Sequence, residues 1–314
     1  MSGFFGNLAP MADALIFVVG DFLLDRYIQG EATHICPEAP VPVIVEDNCW
    51  TTPGGSWNVA LNVAAAGARV VSFTVDGATA GGVSDAVASE TFQDGQSVIY
   101  RSPGRVTQIK TRILGQYGQQ IVRLDTPKDG PITTFEASEL VGLMLEAGKP
   151  DILVVSDYGC GVITPYFMNM LSAAFHGVRI VVDPYPTTDP AVYGRVYAMT
   201  PNQYEAARIE DALEPGENMS EFAEYMVITH RHDPVELVRG DEALKVAVPQ
   251  RQLVDACGAG DAFVAHFATA LAGGHEPVSA LIPAVHAGAV AVSERGVKVV
   301  SREEVYQSLQ SEIT

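Results

Sequence analysis

Residues 14–21 read ALIFVVGD, a short apolar run that ends in an aspartate. Three later stretches repeat this pattern: DILVVSD (151–157), VRIVVDP (178–184) and VYAMTPN (196–202). Apolar runs of this length are typical of strands that are buried on both faces. Stretches of helical period, such as SWNVALNVAAAGA (56–68), lie between them. This alternation predicts a parallel sheet covered by helices on both sides.

A polar residue follows each predicted strand: Asp21, Asp157, Asp183 and Asn202. In a parallel sheet the carboxyl ends of the strands share one edge, and ligands bind beyond that edge. Taken singly, each of these residues could be an ordinary turn or cap residue. Together they outline a candidate site.

The composition excludes several classes of protein. The chain has 314 residues, 38 acidic and 19 basic, with a net charge of −19, and an acidic surface does not favour nucleic-acid binding. The apolar run near the N-terminus is too short to span a membrane. Four widely spaced cysteines, at positions 36, 49, 160 and 257, indicate neither a zinc site nor a disulfide scaffold. We therefore expect a cytoplasmic protein with small-molecule ligands, bound to neither nucleic acid nor a membrane.

Two stretches, residues 27–50 and 97–125, interrupt the alternation. They are rich in β-branched and polar residues and lack helical period, which is typical of strands. They predict a small separate sheet that covers the site. A pair of edge hairpins would fit the same pattern.

The stretch VDACGAGDAF (254–263) places a glycine turn, Gly258-Ala259-Gly260, before a predicted helix. The first backbone N–H groups of a helix lack partners and attract anions, and this turn has little side-chain bulk to exclude a phosphate. Asp261 falls in the first helical turn, where it could accept a proton from an attacking hydroxyl. By itself, the stretch could also be only a tight bend before a helix. The chain lacks the Walker A, G-x-G-x-x-G, G-x-S-x-G and H-E-x-x-H patterns.

Eight motifs, in a fixed order, give the chain its resemblance to a known family. They are VVGDFLLDRY (18–27), CPEAPVPV (36–43), PGGSWNVALNVAAAGA (53–68), QQIVRLD (119–125), VVSDYGCGVIT (154–164), VVDP (181–184), TPNQYEA (200–206) and DACGAGDAF (255–263). The chain resembles the ribokinase-like (PfkB) carbohydrate kinases over nearly its whole length. Within them it is most similar to the D-glycero-D-manno-heptose 7-phosphate kinases.

The resemblance implies an α/β fold, a three-layer α/β/α core with a mainly parallel sheet plus a small β-sheet lid. The kinase domain would span residues 12–314, with the lid formed from about 27–50 and 97–125. Residues 1–11 would be an N-terminal extension. The expected activity is phosphorylation of a sugar or sugar-phosphate hydroxyl, with ATP and Mg²⁺. A homodimer formed through the lid is also expected.

The resemblance also assigns roles to individual residues. Asp261 would be the general base, and the Gly258-Ala259-Gly260 turn would be the anion hole. The sugar would be bound by Asp21, Asp25, Gly54, Gly55, Asn58, Lys110, Arg112 and Asp157. The nucleotide would be bound by Asn202, Glu205, Thr229 and Asp255. Asn202 and Glu205 would also hold the magnesium ion through water.

Several family positions are changed here, and most of the changes remove a cation. His34 stands where the family has Arg, and Cys160 and Tyr185 stand where it has Lys. Pro234 replaces a glycine of the nucleotide loop, Thr229 to Val235, and Cys257 replaces a threonine. Charge-assisted bonds contribute about 1.5–3 kcal/mol each, so these losses affect the binding of a phosphorylated sugar.

Three interpretations follow from these changes. The substrate could be a different sugar, with or without a distal phosphate, because Lys110 and Arg112 remain as cations on one predicted strand face. The protein could instead be a catalytically weak or inactive relative that binds a sugar or nucleotide as a scaffold. A nucleoside acceptor is the third, and the heptose-kinase-like PEAPVPV stretch (37–43) argues against it.

Overall fold

The computed structural model describes residues 13–77, 96–231 and 233–311. The predicted N-terminal extension, residues 1–11, lies outside the described residues. The described strands, in chain order, are β1 (Leu15–Gly20), β2 (Phe22–Ile35), β3 (Pro42–Gly55), β4 (Arg69–Gly77), β5 (Gln96–Ser102), β6 (Gln108–Leu114), β7 (Gln120–Asp125), β8 (Ile152–Ser156), β9 (Arg179–Asp183), β10 (Val196–Met199), β11 (Ala223–Ile228), β12 (Val235–Arg239) and β13 (Glu242–Val246). The helices are α1 (Ser56–Ala65), α2 (Thr134–Ala147), α3 (Pro165–Ala174), α4 (Gln203–Asp211), α5 (Ala259–Ala272), α6 (Pro277–Ala291) and α7 (Arg302–Ser311).

Nine strands form one large sheet in the order β13-β12-β11-β10-β9-β8-β1-β4-β5. The strands from β11 through β5 pair in parallel, and β12 and β13 add an antiparallel edge. The four apolar runs of the sequence are strands β1, β8, β9 and β10 at the centre of this sheet. Their uninterrupted apolar character follows from burial on both faces.

Helices cover both faces of the large sheet. On one face α2, α3 and α4 contribute Leu140, Phe167 and Ile209 to a buried cluster. On the other face α1, α5 and α6 pack through residues that include Trp57 and Phe267. Complete burial of one such large apolar side chain stabilises the fold by about 1.5–3 kcal/mol. The predicted three-layer α/β/α core is confirmed.

The lid is a separate four-stranded sheet in the order β3-β2-β6-β7. Strand β2 pairs antiparallel with β3 and parallel with β6, and β6 pairs antiparallel with β7. Strand β2 begins at Phe22, directly after Asp21. The lid therefore starts at the edge of the large sheet where the site was expected.

The bounds of the lid differ from those expected. Strands β2 and β3 extend beyond residues 27–50, and the second part of the lid begins at Gln108 rather than at position 97. The reason is that β5 pairs in parallel with β4 and extends the large sheet. Its sequence predicts a strand but does not say which of the two sheets the strand joins.

Candidate active site

A cavity of about 370 Å³ lies at the carboxyl edge of the central strands, between the large sheet and the lid. Its lining includes eight residues predicted for the site: Lys110, Asp157, Asn202, Glu205, Thr229, Gly258, Gly260 and Asp261. The other predicted residues lie around this cavity or support it, as described below. A volume of this size suits a ligand of small-molecule dimensions.

The glycine turn joins the core to α5 as expected. Gly258 caps this helix in the left-handed conformation, with φ 76° and ψ 3°. A Cβ atom at Gly258 would lie 2.9 Å from Nδ2 of Asn58, so both the backbone conformation and the space require glycine. Ala259 and Gly260 begin the helix, and their N–H groups belong to the first turn, which favours anions.

Asp261 is only 4% exposed although it lines the cavity. Asn58 donates from Nδ2 to Oδ2 at 2.6 Å, and the hydroxyl of Tyr158 donates to Oδ1. Burial raises the pKa of Asp261, and these two hydrogen bonds, with the nearby Lys110, act in the opposite direction. The carboxylate is thus buried, oriented on both oxygens, and placed at the positive end of a helix.

Asn58 is itself held in place by hydrogen bonds from a residue of the same helix. Asn62, one helical turn later on α1, donates from Nδ2 to the backbone oxygen of Asn58 at 2.8 Å and to its Oδ1 at 3.1 Å. Oδ1 of Asn62 accepts the N–H of Val300 at 2.8 Å. The orientation of Asp261 therefore depends on a buried chain of amides that runs from the cavity to the C-terminal segment.

Asp21 lies behind the cavity rather than in its lining. Its carboxylate accepts the backbone N–H groups of Tyr158 at 2.8 Å, Cys160 at 2.9 Å and Val162 at 3.0 Å. Burial and the nearby Asp157 raise the pKa of Asp21 to about 6. The structure thus shows Asp21 holding the loop after β8, and its predicted contact with a sugar stays a prediction.

Asp157 lines the cavity, and its carboxylate orders the loops around it. Oδ2 accepts the hydroxyls of Thr188 and Tyr193, both at 2.7 Å. Oδ1 accepts the N–H of Gly159 at 2.7 Å. The aspartate joins the loop after β8 to the segment after β9.

Asp25 and Arg112 form an ion pair across the lid, from β2 to β6. A Cβ atom at Gly54 would lie 2.1 Å from Oδ2 of Asp25, so a glycine at this position leaves space for the carboxylate. Arg112 also approaches Sγ of Cys257, at 3.8 Å, and so connects the lid to the stretch that carries the glycine turn. Gly55 is the residue that precedes α1.

Asn202 and Glu205 form a capping box at the start of α4. Oδ1 of Asn202 accepts the N–H of Glu205 at 3.0 Å, and Oε2 of Glu205 accepts the N–H of Asn202 at 2.8 Å. Such boxes are common helix starts. Thr229 lies beside them, because its N–H donates to the oxygen of Pro201 at 2.8 Å.

The acidic residues at this end of the cavity are crowded. Burial and the neighbouring Asp157 raise the pKa of Glu205 to about 7. Burial and Glu205 raise the pKa of Asp183 well above its ordinary value. A cation between these carboxyl groups would favour their ionised forms. Mg²⁺ suits such a position, because it prefers oxygen ligands and retains several waters. Within the described part of the chain, no group of three or more His, Cys, Asp or Glu residues could hold a metal ion directly.

Asp255 has a structural contact on each oxygen. It accepts the N–H of Cys257 and the N–H of Gly296, both at 3.0 Å. These hydrogen bonds outweigh the effect of burial and lower the pKa of Asp255. The carboxylate ties the glycine turn to the loop after α6, and its predicted nucleotide contact stays a prediction.

The cavity lining also includes residues that the predicted site lacks, among them Tyr158, Asp183 and Tyr185. The strand-end rule had singled out Asp183 by position, but no sequence signal gave the two tyrosines a role. Lys128, outside the predicted set, donates from Nζ to the backbone oxygen of Tyr158 and to the hydroxyl of Tyr185, both at 2.9 Å. This lysine supplies a cation beside Tyr185, a position from which the family's lysine is missing.

Two solved structures share the fold. The chain superposes on Escherichia coli phosphofructokinase-2 in complex with fructose-6-phosphate with a TM-score of 0.76 and 18% identity, covering 96% of this chain and 100% of that one. Ribokinase from Thermotoga maritima gives a TM-score of 0.72 and 21% identity, covering 95% of this chain and 99% of that one. The predicted ribokinase-like fold is confirmed.

The pattern of the pfkB family of carbohydrate kinases matches residues 13–303, and this chain belongs to that family. The bifunctional protein HldE of Gluconobacter oxydans is 36% identical over 315 residues, which cover 95% of this chain and 65% of the relative. HldE of Pseudomonas aeruginosa PAO1 is 32% identical over 310 residues, or 95% of this chain and 64% of the relative. The chain thus spans less than two thirds of the length of these relatives. None of its described helices is long and apolar enough to cross a membrane.

Proposed function

We propose that this kinase transfers the γ-phosphoryl group of ATP to a hydroxyl of a sugar or sugar phosphate, in the manner of the heptose 7-phosphate kinases. One observation carries the proposal. A buried carboxylate, Asp261, lines the cavity in the first turn of α5, directly after the Gly258-Ala259-Gly260 turn. Phosphoryl transfer needs a proton acceptor and an anion cradle in this arrangement.

In the proposed reaction, Asp261 accepts the proton of the acceptor hydroxyl as its oxygen attacks the γ-phosphorus. The new P–O bond forms while the bond to the ADP oxygen breaks. The N–H groups of Ala259 and Gly260 stabilise the charge on the phosphoryl oxygens. Lys110 lies on the lid side of the same cavity and adds positive charge near the attacking group.

The acidic end of the cavity suits the nucleotide and its magnesium ion. Asn202 and Glu205 would hold Mg²⁺ through water, and Thr229 would contact the nucleotide beside them. Bound Mg²⁺ neutralises charge on the transferring phosphoryl group. The capping box of α4 fixes both side chains before any ligand binds.

The sugar would occupy the lid side of the cavity. Lys110 lines the cavity, and Lys128 contacts the backbone of Tyr158 and the side chain of Tyr185, two other lining residues. These two lysines support an acceptor that carries a distal phosphate, because charge-assisted bonds are what such a group requires. They offset in part the cations missing at positions 34, 160 and 185.

We also propose that two copies associate through their lids, in the cytoplasm. Apolar side chains are exposed on the lid: Ile35, Val41, Val45, Ile121, Val122 and Leu124. Exposed apolar patches of this kind mark interaction surfaces. The described cysteines are free, which fits a reducing compartment.

The proposal is tested by ADP release from purified protein with Mg-ATP, across sugars with and without a terminal phosphate. We expect release with one sugar, reduced about 10²- to 10⁴-fold in Asp261→Asn, because general-base catalysis contributes on that order. Asp211→Asn, at the exposed end of α4, is the matched control and should keep full activity. Saturable calorimetric binding of sugar or nucleotide without ADP release from any sugar would instead identify a non-catalytic binding protein.

A further inference from the structure

Both oxygens of the Asp261 carboxylate already hold side-chain donors. Oδ2 accepts from Asn58 Nδ2 at 2.6 Å, and Oδ1 accepts from the Tyr158 hydroxyl. The amide of Asn58 lies on the core side, on α1, whereas Tyr158 lines the cavity together with Asp261. Oδ1 is therefore the oxygen that faces the space where a sugar would bind. This oxygen already accepts a hydrogen bond from the Tyr158 hydroxyl.

The backbone of Tyr158 is fixed independently of this hydrogen bond. Its backbone N–H donates to Asp21 Oδ2 at 2.8 Å, and its backbone oxygen accepts from Lys128 Nζ at 2.9 Å. Lys110 Nζ lies 5.0 Å from the centre of its ring. The phenol is thus presented to Asp261 by the loop after β8, on an element separate from α5.

The phenol is a permanent donor in this position. Burial and the charge of Asp261 raise the pKa of Tyr158 well above its ordinary value. An ionised carboxylate accepts hydrogen bonds and does not donate them, so the proton of this bond belongs to the tyrosine. A sugar hydroxyl and a water molecule would approach Oδ1 with the same chemistry as the phenol.

We propose that Tyr158 is a positioning residue that takes the place of the acceptor hydroxyl on Asp261 while no sugar is bound, and so keeps water from being activated there. The inference rests on the proposed function. When the sugar binds, its O–H replaces the phenol on Oδ1, and the displaced phenol hydrogen-bonds to the sugar. Tyr158 thereby couples activation of the base to the presence of the correct acceptor.

Without this protection, water would be phosphorylated instead of the sugar. The water oxygen forms the new P–O bond, the bond to the ADP oxygen breaks, and Asp261 receives the proton of the water. The products are ADP and inorganic phosphate. Both are measurable in the absence of any sugar.

The test is the ratio of sugar-free ADP release to sugar-dependent ADP release in Tyr158→Phe, which removes the hydroxyl and keeps the ring. We expect this ratio to rise about tenfold or more, because one hydrogen bond to a charged group is of that order. The double variant Tyr158→Phe/Asp261→Asn should lose the excess hydrolysis. Tyr204→Phe, exposed on α4, carries the same chemical change and should behave as the wild type.

The pH profile gives a second readout. Loss of the phenol removes a bond that lowers the pKa of Asp261, so the acidic limb of the sugar-dependent kcat/KM should move to higher pH. The other charged groups whose fields reach Asp261, Asp25 and Lys110 in the lid and Asp183 at the end of β9, are the same in both proteins. Their effects cancel in the comparison.

An unchanged ratio in a folded, active Tyr158→Phe protein would overturn the inference and leave the proposed function intact. If that variant does not fold, the wild type with a non-hydrolysable ATP analogue replaces it. Saturating sugar should then perturb the tyrosine absorption as the phenol changes its partner, and a flat difference spectrum would contradict the exchange. Wild-type protein that releases no ADP with any sugar would overturn both the inference and the proposed function.

Discussion

Gly258 shows how much of the site depends on single residues. Its φ of 76° is in the left-handed region, which costs an L-residue about 1–2 kcal/mol. A side chain there would also press on Asn58, whose Nδ2 lies 2.9 Å from the position of the missing Cβ. The same atom of Asn58 orients Asp261, so backbone strain and misplacement of the Asp261 carboxylate are linked.

Gly258→Ala should therefore lower both stability and turnover. We expect a loss of about 1–2 kcal/mol in the free energy of unfolding and a fall in kcat larger than any change in the KM for ATP. Urea unfolding and ADP release measure the two effects. Gly142→Ala is the control, because apart from its own helix backbone and chain neighbours nothing lies within 4 Å of the added Cβ, and alanine favours the helix α2 by up to about 1 kcal/mol.

At the scale of elements, α1, α5 and the segment before α7 act as one unit. Asn62 on α1 accepts the N–H of Val300, and His266 on α5 lies with Nε2 3.0 Å from the Val300 oxygen. Both groups of the Val300 backbone are thus paired inside the core. The segment before α7 locks together the two helices that carry Asn58 and Asp261.

Asn62→Ala should disturb this unit from within. It leaves the buried N–H of Val300 without its partner, which costs about 1–3 kcal/mol, and it frees Asn58 to turn away from Asp261, so kcat should fall as well. Thr133→Ala provides the matched control: it removes the N-cap of α2, costs about 1 kcal/mol, and should leave kcat unchanged. Equal kcat values in the two variants would contradict the positioning role of Asn62.

His266 makes the same unit sensitive to acid. Burial lowers the pKa of His266 to about 4, from an ordinary value of 6.5, so the unfolded chain binds this proton first as pH falls. Stability contributed by the neutral ring is present above pH 6.5 and is lost progressively towards pH 4. Between pH 7 and pH 5 the loss is about 2 kcal/mol.

Urea unfolding at pH 7 and pH 5 checks this linkage. In His266→Gln, whose amide can still donate to the Val300 oxygen, the loss of stability between the two pH values should shrink by about 2 kcal/mol. His176→Gln changes an exposed histidine and should show the wild-type difference. The same pH dependence in all three proteins would assign the acid sensitivity to other groups.

At the scale of the whole molecule, the lid and the core meet around the cavity. Arg112 is paired with Asp25 within the lid and joins the lid to the core through its contact with Cys257. The lid keeps apolar side chains in solvent, including Leu124 on β7 at 57% exposure and Val45 on β3 at 51%. An association through the lid would brace each lid over its own site.

Leu124→Asp should therefore weaken the proposed homodimer. A carboxylate in an apolar interface must lose its hydration without gaining a partner, so the sedimentation coefficient should shift towards that of a monomer. Leu145→Asp makes the same change at a side chain that is 52% exposed on α2, away from the lid, and should leave the association unchanged. A monomeric wild type would exclude association through the lid.

The sequence alone predicted most of the core and part of the site. Strands β1, β8, β9 and β10 were readable because continuous apolar runs are a local signal of burial on both faces. Asp261 and its glycine turn were readable because a helix start and its cap lie within a few neighbouring residues. The place of β5 in the large sheet rather than in the lid was not readable, since either sheet could take the same strand.

What the tertiary structure decided is which polar groups meet. Asp21 looked like a ligand-binding residue from its place at a strand end, yet its carboxylate holds the backbone of a loop 137 to 141 residues away. Tyr158 had no signal of its own, and its hydroxyl reaches Asp261 across 103 residues of chain. Periodicity and caps are properties of short segments, and they determined the elements and the place of Asp261 at the start of a helix. Contacts between distant side chains depend on how those elements pack, so the environment of Asp261 was decided only by the fold.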